Sequence, residues 1–246
     1  MRRAPLLALF LAVAAFGSSA RGEPLVADLS NHLIAITAGF TGADLLLFGT
    51  TDGPGDVIAL VRGPTGHSVV RRKDRLFGIW INNVSLDFDN VPNFYALATS
   101  QPLDQLLTGD TAERYGIGLD HLGIHAAADS PPAKTQEMLD ALNRIKVREG
   151  LFRPVAGKIT FLGGRLFRAD FHFPSNVPTG SYLVEILLVR DGQIASAQTT
   201  PLIVSKIGVG ADIFQFAHRH AAAYGIAAIL IALVAGWTAH LAFRRV

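Results

Sequence analysis

Hydrophobic and polar positions are arranged differently in three parts of the chain. Residues 6–16 form one short apolar run, residues 25–204 break into brief runs separated by turn residues, and Ala221–Phe243 is one apolar stretch without Asp, Glu, Lys or Arg. The middle pattern predicts strands, because short runs rich in β-branched and aromatic residues, bounded by Gly, Pro, Asn and Asp, suit a pleated, half-buried backbone. Its first half supplies 25–29, 32–37, 44–50, 57–61, 68–72, 78–82 and 94–99, with turns at 51–55 and 63–66. Its second half supplies 158–161, 166–173, 181–189 and 194–204. Within 166–173, Phe167, Ala169, Phe171 and Phe173 share one strand face while Arg168, Asp170 and His172 share the other, a period of two that buries the aromatic side. Residues 174–180 read as a turn, and Asp191 with Gly192 reads as a hairpin turn. The expected fold is mainly β: an immunoglobulin-like β-sandwich with a helical insertion, plus one C-terminal transmembrane helix.

The insertion is expected over 101–149, where the period changes from two to that of a helix. Short helical turns are predicted at 102–107 and 111–115, and a longer helix at 135–147. In the last, Met138, Leu139, Leu142 and Ile145 fall on one face and Lys134, Asp140, Arg144 and Arg148 on others. Such an insertion is expected to cap one end of the sandwich. Residues 126–132 are the most linker-like stretch, without dividing the domain.

The two ends predict a topology. Arg2 and Arg3 precede the apolar run at 6–16, which is short for a span, and small residues follow to a cleavage site ending at Ala20 or Gly22. Residues 1–22 are therefore expected to be a signal peptide and 23–205 a periplasmic domain. At 1.5 Å per residue, Ala221–Phe243 reaches about 34 Å, enough to cross a hydrocarbon core of roughly 30 Å. Tyr224 and Trp237 sit near its opposite ends, where amphipathic rings prefer the interface. Residues 244–246 are expected as a cytoplasmic tail on a single-pass protein of the bacterial inner membrane. Between domain and span, 206–220 carries Phe214, Phe216, His218, Arg219 and His220, and predicts an interfacial helix continuous with the span.

Composition narrows the chemistry. With no Cys, the chain has no thiolate metal site, thiol nucleophile or disulfide, so its exported domain is stabilised by packing alone. Met138 is the one methionine beyond Met1, which argues against a thioether copper site. The formal net charge is +2 and the basic residues are dispersed; the densest group, Arg71, Arg72, Lys73 and Arg75, is interrupted by Asp74 and reads as a solvated strand edge rather than a nucleic-acid patch. His121 and His125 have the spacing of one helix face, but Gly118 and Gly123 disfavour a helix there, and the histidines read as surface or packed residues. Asp87, Asp89 and Asn90 resemble the start of a calcium loop, yet Pro92 follows and no closing Glu does, so a turn between strands is expected. Motifs for a serine nucleophile, a zinc protease or a phosphate loop are absent. No catalytic, cofactor-binding or metal residue is assigned. The expected partner-contact residues are Trp80, Asn82, Asn83, Phe94 and Tyr95, where aromatic and amide groups cluster.

Several of these residues also carry a resemblance. The runs Gly78-Ile-Trp-Ile-Asn-Asn83, Val91-Pro-Asn-Phe-Tyr-Ala96 and Pro178-Thr-Gly-Ser-Tyr182, with Tyr224-Gly225 and Gly236-Trp237 in the anchor, resemble the alphaproteobacterial family of putative transmembrane proteins across almost the whole mature chain. The resemblance implies a role accessory to a sulfite- or sulfonate-exporter-type permease, and carries over no catalytic residue. The expected function is that of a membrane-anchored periplasmic binding or assembly protein, with the bilayer as one partner through Ala221–Phe243 and an integral-membrane permease as another. A periplasmic ligand-binding or sensing module and a hydrolase remain the alternatives.

Overall fold

The structure, a computed structural model, describes residues 24–126 and 131–244. The expected signal peptide at 1–22 lies outside the described residues, as do the last two residues of the tail and much of the linker-like stretch.

Two main sheets and a smaller third one carry the fold. The first sheet holds β1 (Leu25–Leu29), β3 (Gly42–Thr51), β11 (Leu166–Pro174) and β10 (Thr160–Leu162), in the order β1-β3-β11-β10. The second holds β2 (Leu33–Ile36), β13 (Gln193–Lys206), β12 (Gly180–Arg190), β4 (Asp56–Arg62), β7 (Tyr95–Thr99) and β9 (Gly157–Lys158), in the order β2-β13-β12-β4-β7-β9. Neighbours run antiparallel except β2 with β13 and β7 with β9. The third sheet joins β5 (Thr65–Leu76), β6 (Ile79–Pro92) and β8 (His125–Ala126).

Alternation decides which side chains meet between the main sheets. Phe167, Ala169, Phe171 and Phe173 are buried while Arg168, Asp170 and His172 are exposed, as the period of two requires. Leu45 and Leu47 of β3 join them, facing Tyr182, Val184 and Ile186 of β12. Phe94 stacks on Phe173 with ring centroids 4.8 Å apart, and the Tyr182 ring lies 6.0 Å from both. The Tyr182 hydroxyl donates to the Pro178 carbonyl at 2.6 Å, so the polar tip of a buried ring is satisfied by the turn that precedes its strand. At the sheet edges, the Gln198 side-chain amide pairs with the backbone N–H and carbonyl of Ala27, at 2.8 and 2.7 Å. A single side chain thus bridges β13 of one sheet to β1 of the other.

Strands β4 and β7 are buried along nearly their whole length rather than on alternate residues. A strand covered on both faces reads this way. Their second cover comes from the helical insertion, whose residues 115–118 bond to Arg62 and Tyr95; it comprises α1 (Leu103–Leu106), α2 (Gly109–Arg114), a 3-10 turn at Leu119–His121, and α3 (Pro132–Arg148), which buries Met138 and Leu142 and lies against β5. The expectation that this insertion caps an end of the sandwich is corrected. It lies over a sheet face, because β4 and β7 present apolar side chains outward that need a second layer.

After β13 the chain forms α4 (Val209–Arg219) and α5 (Ala221–Phe243). The expected continuous helix is also corrected: His220, at φ −129° and ψ 51°, has left the helical region and separates the two. Helix α5 is apolar all round with none of it buried in the protein, the pattern of a membrane span.

Candidate functional site

Strands β5 and β6 form a hairpin that leaves the body of the domain. Its base pairs Thr65 with Pro92 and its far end pairs Leu76 with Ile79, so each arm extends about 40 Å at 3.4 Å per residue. The first half is anchored: Val70, Leu86, Phe88 and Val91 are buried, and β6 pairs with β8. Arg72 adds a bridge to Glu137 of α3 at 3.1 Å and another to Asp74 at 3.5 Å, and these carboxylates raise its pKa further, the Glu137 hydrogen bond contributing most. Beyond Arg72 the two arms are exposed on both faces except for partial cover at Asp74.

The expected contact residues divide between this hairpin and the core. Trp80 is 66% exposed, and Asn82 and Asn83 are exposed beside it, with Asn83 donating to Asp74 at 2.8 Å. Phe94 and Tyr95, by contrast, are 0% and 1% exposed. They pack inside the domain, so the five residues do not form one surface. The reason is position: Phe94 and Tyr95 follow the hairpin base and re-enter the second sheet under the insertion. The Tyr95 hydroxyl accepts the Gly118 N–H at 2.8 Å, and burial raises its pKa against the opposing effect of that hydrogen bond. Arg62 makes the companion link, donating to the carbonyls of Tyr115 and Gly116 at 2.5 and 3.1 Å and pairing with Glu185 at 3.3 Å. Tyr95 and Arg62 are thus the polar pins that hold the insertion to the sheet.

Three side chains missing from the sequence-based set belong with Trp80: Leu76, Phe77 and Ile79, the last two 95% and 68% exposed. The signal available was the apolar run 76–81 between charged and amide residues, interrupted only by Gly78.

The remaining candidates take ordinary places. His121 ends the 3-10 turn and His125 lies in β8, so they do not share a helix face. Asp87, Asp89 and Asn90 do not form the expected turn: they lie within β6, which continues to Pro92 because β5 offers it a paired backbone. There the two carboxylates flank His67, at 3.8 Å from Asp87 and 3.0 Å from Asp89. No group of three metal-ligating side chains converges among the described residues. A depression lined by Asp52, Asp56, Arg190 and Asp191 among others is open, and Arg190 is already engaged by Asp52 and the Pro54 carbonyl.

A packed, mainly β domain joined to a wholly exposed apolar helix of 23 residues defines a membrane protein, with this helix the one candidate span among the described residues. The chain belongs to the alphaproteobacterial family described as "Putative transmembrane protein", which it matches over residues 24–245. No curated protein matches it.

Proposed function

We propose that the chain is an inner-membrane protein whose β domain lies in the periplasm and which binds, and assembles with, an integral-membrane partner. The observation that carries this reading is the outer half of the β5–β6 hairpin, exposed on both faces and bearing apolar and amide side chains on a protein tied to the bilayer by α5. Trp80, Asn82 and Asn83 are the contact residues; Phe94 and Tyr95 support them from the core only by holding the hairpin base. The class of partner is a sulfite- or sulfonate-exporter-type permease, a reading that rests on family resemblance.

The organisation proposed with it is a signal peptide at 1–22, an immunoglobulin-like domain at 23–205 with its insertion at 101–149, a juxtamembrane segment at 206–220, the span, and a cytoplasmic tail at 244–246. Strand order supports the immunoglobulin-like assignment: with β5, β6, β8 and β9 set aside as additions and the other strands lettered in chain order, the two main sheets read A-B-E-D and A′-G-F-C-C′, the second extended past C′ by β9. Tyr182 near the start of strand F, bonded back to Pro178, supports it as well. The signal-like order of residues 1–22, with Arg2 and Arg3 before the apolar run, and Arg244 after the span support the orientation.

Affinity purification of the full chain from mild detergent tests the function. A membrane-embedded partner should be recovered with it, and Asn82→Ala with Asn83→Ala should reduce the yield; a chain that repeatedly emerges alone refutes the assembly role. Protease added to spheroplasts should cut the β domain, and a protected domain would refute the orientation.

A further inference from the structure

We propose that the apex of the β5–β6 hairpin is a second membrane-contacting element, which enters the headgroup region of an anionic bilayer while α5 spans the same bilayer. Three independent observations lead there. The first is the apex turn. Phe77 and Gly78 both have positive φ, 48° and 86°, as a tight two-residue hairpin turn requires. Asn or Asp is the usual first residue of such a turn, since a bulky side chain at positive φ is disfavoured. Here the position holds a phenyl ring 95% exposed, so the fold accepts local strain to present an apolar group almost wholly to solvent.

The second observation is the composition around the apex. Leu76, Phe77, Ile79 and Trp80 form an exposed apolar end, and Trp is the side chain that most favours the water–lipid boundary. Just behind it stand Arg71, Lys73 and Arg75, all exposed, while the one acid of that stretch, Asp74, is occupied by Arg72 and Asn83. An apolar tip with a basic collar matches a bilayer whose surface is anionic.

The third observation is where the hairpin is rooted. Asn93 N–H bonds the Pro64 carbonyl at 2.9 Å, and the Pro64 ring lies 2.7 Å from where a Cβ on Gly180 would stand. Gly180 in turn pairs with Val204, two residues before β13 ends at Lys206 and the chain leaves for the span. The hairpin base and the exit to the membrane therefore share one end of the sandwich. A two-stranded ribbon is marginal in water by itself, so a surface that accepts its apex also stabilises its outer half. With the apex in the headgroups, Asn82 and Asn83 lie just above them, at the level where a membrane-embedded partner would offer its loops.

Trp80 is its own probe, since Trp237 in the span is the one other tryptophan. The full chain carrying Trp237→Phe would be placed in nanodiscs of phosphatidylcholine, with or without phosphatidylglycerol, each containing lipid brominated on its acyl chains. Trp80 emission should shift to the blue and be quenched, more strongly with phosphatidylglycerol. Phe77→Ser with Ile79→Ser should abolish the quenching. Arg71→Gln, Lys73→Gln and Arg75→Gln together should weaken docking of the apex by about a hundred-fold, at roughly five-fold per basic side chain. Thermal unfolding of the domain should be unchanged in both variants. Emission that stays water-like and unquenched in both lipids overturns the proposal, as does quenching indifferent to phosphatidylglycerol, or shielding of Trp80 that appears only when a second protein is added. Partner recovery in detergent is read separately, so either idea can fail without the other.

Discussion

Two aromatic clusters of similar composition have opposite fates. Phe94, Phe173 and Tyr182 stack between the main sheets with no exposed surface to speak of, whereas Phe77 and Trp80 stand in the open at the end of the hairpin. Both clusters lie on or beside β-strands flanked by polar residues. What separates them is the number of layers over each. The core rings have a facing sheet, and β7 also has the helical insertion, while the outer hairpin has neither. Aromatic content thus identifies strands, but it does not say whether a ring supports the fold or serves an interface.

Truncation offers the largest test of that contrast. Phe173→Ala removes a ring that touches both Phe94 and Tyr182 and should destabilise the domain by about 3–5 kcal/mol, read from chemical denaturation of the detergent-solubilised chain. A loss near that of a surface substitution would mean that the two sheets are not packed through this cluster.

Next in size is Arg62→Ala, which deletes the donors to Tyr115 and Gly116 and leaves Glu185 without its cation. A loss of about 2 kcal/mol is expected, as for other hydrogen bonds to charged groups. The insertion should loosen before the sheets do, so limited proteolysis should cut between 103 and 126 first. Cutting within the main strands first would show that the insertion does not depend on this pin.

Tyr182→Phe keeps the ring and removes only its bond to Pro178, for a cost of about 1 kcal/mol. It also sharpens the pH dependence. Burial raises the Tyr182 phenol pKa above its ordinary value of 10.0, so the fold favours the protonated form. That contribution is fully present below the unfolded pKa and is lost as pH rises from there toward the folded pKa. The wild-type chain should therefore lose stability above about pH 10 more steeply than the Phe variant. Parallel alkaline melting curves would count against a buried, neutral Tyr182.

The smallest effect is expected outside the core. Trp80→Ala should change stability by no more than about 0.5 kcal/mol, because the indole has no neighbours in the domain that depend on it. A loss comparable to that of Phe173→Ala would place Trp80 in a packed cluster and erase the distinction between the two regions.

Much of this layout was legible along the chain. The run 25–29 matches β1, the alternation from Phe167 to Phe173 gives the buried face of β11, and the span predicted over Ala221–Phe243 is α5. These features depend on residues close in sequence: a pleat alternates every two residues, and a membrane helix needs only length and apolarity. The candidate site was less legible. Runs 68–72 and 78–82 read as two short strands, yet each is part of one long ribbon whose β6 arm continues through Asp87 and Asp89 to Pro92. Pairing with β5 across two register shifts holds those polar residues in a strand, and no local pattern encodes a partner.

By itself, then, the order of residues determined where strands and helices form, which strand faces are apolar, and that the chain carries an anchor. The tertiary structure alone decided that Phe94 and Tyr95 are covered while Phe77 and Trp80 are not, and that the described part of the insertion lies over a sheet face instead of an end. The physical reason is that periodicity is a property of one element, whereas burial belongs to the pair of elements that meet, and those meetings join residues far apart in the chain.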